Sequence, residues 1–138
     1  MKKWHLIAMT ALTLVAAPNL KAEAASIGSD TIYVGHDMWA SGSYTKNIHA
    51  KAGKVRICAY GDTSGSTTRV HLEERDEAGN APEFIAQKSS HNFYNSCWEV
   101  SIPSSLVDGT NARAELRLYA ERTDSFQKGR NVDFSFNQ

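Results

Sequence analysis

The sequence predicts an all-β fold, an antiparallel β-sandwich of seven or eight strands, closer to a jelly roll than to an immunoglobulin-like domain. Three observations carry this. Apolar and polar residues alternate with period two along most of the chain. The alternating stretches run roughly 6–10 residues and are separated by Gly, Asn, Asp and Pro, which favour turns. Cys58 and Cys97 both fall on the outward sides of their stretches.

Residues 1–24 stand apart from this pattern. Lys2 and Lys3 are followed by an apolar run from Leu6 to Ala17 and by the small-residue site Ala22-Glu23-Ala24. That order is the order of a secretory signal peptide. The run is too short for a spanning helix, which needs roughly 20 apolar residues, and Pro18 and Asn19 interrupt it. The expectation is cleavage after Ala24, a single β-sandwich domain over 25–138, and a secreted or periplasmic location without membrane insertion.

The domain's stretches read in order as strands. SIGSDTIYVG places Ile32 and Val34 on one side and Tyr33 on the other. SGSYTKNIHA reads as one strand with Tyr44 and Ile48 on the same side. KVRICAYG sets Val55, Ile57 and Ala59 against Arg56, Cys58 and Tyr60. TTRVHLEERD sets Val70 and Leu72 against Arg69, His71 and Glu73. EFIAQKSS fits a short strand or a helical turn equally well. NFYNSCWEVSI carries Tyr94, Trp98, Val100 and Ile102 on one side. RAELRLYAER opposes Leu116 and Leu118 to Glu115, Arg117 and Tyr119, an alternation that outweighs its helical propensity. NVDFSF buries Val132, Phe134 and Phe136.

The cysteine pair predicts one internal bridge, Cys58–Cys97, in an oxidising compartment. Two outward cysteines must join strands of one sheet or close a loop at its rim. An immunoglobulin domain buries its bridge between the sheets, so the jelly roll is preferred.

Charge narrows the function. Without Lys2, Lys3, Lys21 and Glu23, residues 25–138 hold 12 basic and 14 acidic side chains, a formal charge of −2. A weakly acidic domain with no polybasic block is unsuited to non-specific binding of nucleic acid or anionic lipid. His36, His49, His71 and His91 form no H-x-H or H-E-x-x-H motif, and there is no G-x-S-x-G elbow. The expectation is therefore a non-catalytic protein with no cofactor. The acidic run Glu73–Glu77 reads mainly as a solvated strand end. Asp76, Glu77 and Asn80 could offer oxygen ligands to calcium, although they match no EF-hand loop.

Aromatic residues give the binding argument. Trp39 and Tyr44 flank a Gly/Ser-rich stretch and are the expected ligand contacts. Flat rings can stack on sugars. Trp39 could instead plug one end of the sandwich. The primary reading is a small secreted binding module for carbohydrate or cell envelope. The alternative is a protein-directed effector, such as an inhibitor or toxin-like protein, acting on an extracellular protein.

Overall fold

Alternation becomes strand wherever one face can be buried. The computed structural model describes residues 24–34, 43–61, 67–76, 81–90, 95–108, 110–123 and 129–138. Among these lie nine strands: β1 (Ser26–Val34), β2 (Ser43–Tyr44), β3 (Ile48–Ala50), β4 (Gly53–Tyr60), β5 (Thr68–Glu74), β6 (Glu83–Ser90), β7 (Ser96–Ile102), β8 (Ala114–Arg122) and β9 (Arg130–Asn137). One turn of 3-10 helix covers Ser104–Leu106. EFIAQKSS is thus a strand, β6.

The strands form two antiparallel sheets. The first has the order β1-β9-β4-β7. The second has the order β2-β8-β5-β6, with β3 also paired to β8. Counting β2 and β3 as one interrupted strand gives four strands per sheet. The chain then changes sheet at every connection except β5 to β6. That is the jelly-roll order of two Greek keys, and the fold is an all-β sandwich as the alternation predicts.

The core lies between the sheets. Val55, Ile57, Leu116, Leu118, Phe134 and Phe136 are each at most 1% exposed, and all were assigned inward by period two. Cys58 pairs directly with Cys97 across β4 and β7, with Cα atoms 4.0 Å apart, and the disulfide is formed. It joins neighbouring strands of one sheet on the outer face, as the outward placement required.

Two expectations need correction. Tyr44 and Ile48 do not share a side: Tyr44 is 42% exposed and Ile48 is 2% exposed. Tyr44 pairs with Tyr119 and Ile48 with Leu116, so Thr45, Lys46 and Asn47 face only Arg117 and Leu118. The extra residue is a β-bulge, and it reverses the alternation. The Thr45 hydroxyl accepts the Leu118 N–H at 3.0 Å, and Asp30 Oδ2 accepts the Lys46 N–H at 2.7 Å. These bonds replace the ladder contacts that the bulge removes.

The acidic run is not simply a solvated end. Glu73 and Glu74 are buried, because β5 continues to pair with β8 through both of them. Trp98 points inward but is only half-buried, because β7 is the last strand of its sheet.

The two flanks of the sandwich differ. At one, β1 approaches β3 closely enough that a Cβ on Gly28 would lie 2.6 Å from Ile48 Cδ1. At the other, between β6 and β7, the sheets part and leave a cleft of about 460 Å³.

Candidate functional site

The β6–β7 cleft reaches the core, whereas a more open hollow of about 730 Å³ lies over Gly28 and Ile48. The floor of the cleft is core: Ile57, Val70, Leu72 and Val100. Its walls come from the two edge strands, with Ile85 and Lys88 on one side and Trp98 on the other. Lys88 pairs with Val70, an inward position, so its chain crosses the mouth and its ammonium sits 5.3 Å from the centre of the Trp98 ring. An ammonium over an indole face is attracted by the ring quadrupole. On the outer face of β6, Phe84 pairs with outward Glu73 and is 65% exposed, the most exposed large apolar side chain described.

The outer face of the second sheet carries a connected array. Tyr44, Tyr119 and His71 lie in register across β2, β8 and β5. The Tyr44 and Tyr119 ring centres are 4.7 Å apart at 50°, and His71 stacks on Tyr119 at 4.6 Å. Tyr119 is therefore outward-facing, as predicted, yet only 9% exposed. The Arg117 guanidinium lies 3.8 Å over the Tyr44 ring and donates to Glu73 Oε1 at 3.0 Å from Nη2 and 3.3 Å from Nε. Glu73 Oε2 is 3.7 Å from His71 Nε2. Glu73 is thus shared by Arg117 and His71, and the Tyr119 hydroxyl donates to Glu121 Oε2 at 3.1 Å.

A third group lies where β5 ends and β8 begins. Carboxylate oxygens of Glu74, Asp76 and Glu115 lie within 4.8 Å of one another. Burial pushes the Glu74 carboxyl up from its ordinary 4.5 to about 7. The negative charge of Asp76 adds to this, the Glu115 backbone N–H opposes it, and Asp108 and Glu115 add further repulsion.

The residues predicted from sequence divide three ways. Trp39, Glu77 and Asn80 lie outside the described residues. Tyr44 is in place and exposed, but in contact with Tyr119 and Arg117 rather than at a bare loop. Asp76 meets two carboxylates that were not foreseen as its companions. Phe84 and Lys88 were missed because EFIAQKSS showed no clear period, and Glu115 because its outward alternation read as solvent exposure.

The fold and these features define a small disulfide-stapled jelly-roll domain with an open flank. A family model described as the YndA coiled coil domain matches residues 26–134, and the chain belongs to that family. The described residues form strands where that description names a coiled coil. No curated protein matches the chain. A crystal structure of the Yersinia pseudotuberculosis-derived mitogen is similar with a TM-score of 0.46 and 8% identity, covering 80% of this chain and 83% of that one.

Proposed function

We propose that the chain is a secreted or periplasmic binding domain directed at another protein, and that the β6–β7 flank is its contact surface. The observation that carries this is Phe84, 65% exposed on an edge strand beside an apolar-floored cleft. Interfaces of this kind centre on aromatic anchors and pockets that exclude water. The cleft suits an apolar side chain of the partner, with Lys88 near its mouth to meet a neighbouring carboxylate. Contact is through side chains rather than an added strand. Lys88 points inward, and β6 is bulged between Leu72 and Glu73 of its partner strand, two devices that blunt a sheet edge.

The same geometry favours a protein over a glycan. Sugar stacking uses an open ring face, whereas Arg117 lies over the Tyr44 ring, which is tilted against Tyr119. Tyr44 extends the contact across the outer face of the second sheet. The disulfide supports an oxidising compartment.

The test is a retention assay with the purified protein and its Phe84→Glu variant, matched for unfolding midpoint. Both are presented to extracellular proteins and, separately, to cellulose, chitin and peptidoglycan. The reading expects a protease-sensitive partner retained by the wild type and lost with Phe84→Glu. Retention on a polysaccharide, unaffected by Phe84→Glu, would overturn it in favour of a glycan-binding module.

A further inference from the structure

We propose that Glu74, Asp76 and Glu115 form a calcium site at the end of the sandwich where β5 runs out and β8 begins. Their carboxylate oxygens already lie within 4.8 Å of one another. Three carboxylates at that spacing repel each other, and a proton or a cation among them relieves the repulsion.

A second observation points to a ligand. Glu74 is 3% exposed, and its Oε1 is buried with no hydrogen-bond partner. Among the described residues, the Glu115 backbone N–H makes the one hydrogen bond that favours the charged carboxylate, and a buried oxygen left without a partner is costly. Glu74 has no ion-pair partner among the described residues. Glu115, 6% exposed, already accepts from Asn111 Nδ2 at 3.2 Å and lies 3.6 Å from His49 Nδ1. That holds one oxygen in place and leaves the other for a cation. Arg75, between Glu74 and Asp76 in sequence, is exposed.

The donors select the metal. All three are hard oxygens, which suit calcium better than zinc or copper. They come from a strand end, the second residue beyond it and a neighbouring strand, a setting that tolerates the irregular, higher coordination calcium takes. Magnesium demands near-ideal octahedral geometry. The Asp108 carboxylate adds to the negative field at Glu74 and favours a divalent ion over a monovalent one.

Functionally, the ion would tie the end of β5 to the start of β8 and brace the second sheet, which carries Phe84. This proposal does not depend on the binding partner suggested above, and a failure of either leaves the other standing.

The experiment uses calcium itself. Purified protein, stripped with chelator, is titrated with CaCl2 in a calorimeter and followed by thermal unfolding, with MgCl2 as a parallel series. The expected dissociation constant is on the order of 10⁻⁴–10⁻³ M, the range of extracellular calcium modules. Calcium should raise the unfolding midpoint and magnesium should not. Asp76→Asn should weaken binding by at least about tenfold, the loss of one charged ligand. Glu74→Gln should fold without calcium and lose the calcium-induced rise, which keeps the test valid if Asp76→Asn folds poorly. No binding heat and no midpoint shift in several millimolar calcium would overturn the proposal. Full calcium response in Glu74→Gln, or an equal response to magnesium, would overturn it as well.

Discussion

Glu74 shows how one side chain can set a pH dependence. Its carboxyl is pushed up to about 7 in the folded chain, chiefly by burial and then by Asp76. Below pH 4.5 it is protonated in both folded and unfolded states, and burial carries no charge penalty. As pH rises from 4.5 to 7 the unfolded chain ionises first, so stability falls; above 7 the loss is complete. In chelating buffer the wild type should lose up to about 3 kcal/mol across that window through this group. Urea midpoints of wild type and Glu74→Gln from pH 4 to 8 check this, because the difference between them should grow with pH and then level off. A second residue is held in an unfavourable backbone state. Ala112, just before β8, has φ +53°, a left-handed conformation that costs a residue with a Cβ about 1–2 kcal/mol. Glycine adopts it freely but loses more entropy on folding. Ala112→Gly should therefore stabilise the fold by about 0.5–1 kcal/mol, read as a rise in the urea midpoint with unchanged slope.

At the scale of strands, the bulge between β2 and β3 rests on Thr45. Its hydroxyl takes the Leu118 N–H, and its backbone N–H donates to Leu118 O at 2.8 Å. Thr45→Val keeps the shape and removes the acceptor, leaving a buried amide unpaired. The expected cost is about 1–3 kcal/mol, with Leu118 as the amide whose hydrogen exchange accelerates most. Long strands were legible in the sequence because each buries one face, so Val55, Ile57, Leu116 and Phe134 announced their sides. The bulge was not, since alternation carries no sign of an inserted residue until the partner strand is known. Burial of outward residues was hidden for the same reason. Tyr119 is covered by Tyr44 and His71, and Glu115 by Asn111 and His49, through neighbours that only strand pairing supplies. The candidate site was partly legible: Asp76 and Tyr44 stood out by type, but Glu74, Glu115 and Phe84 acquire their meaning from register.

Across the whole molecule the two flanks divide the work of stability and access. At the β1–β3 flank the close fit of Gly28 against Ile48 seals the sheets together. At the β6–β7 flank Trp98 stays half-exposed and a cleft reaches the core. The Cys58–Cys97 bridge lies on the open side and fastens edge strand β7 to β4. The 39-residue separation it spans includes β5 and β6, so the covalent link constrains the less tightly packed flank. Removing it with Cys58→Ala and Cys97→Ala together should lower stability by about 2–4 kcal/mol, since the unfolded chain regains the entropy of that loop. The loss should also be uneven. Amides of β6 and β7 should lose hydrogen-exchange protection before those of β1 and β9, because only the former depend on the staple to keep the open flank assembled. Equal loss in all four strands would mean that the bridge acts on the unfolded chain alone and that the open flank holds itself together. In the first case the disulfide also maintains the open β6–β7 flank, and reduction should abolish partner retention under conditions where most of the protein remains folded.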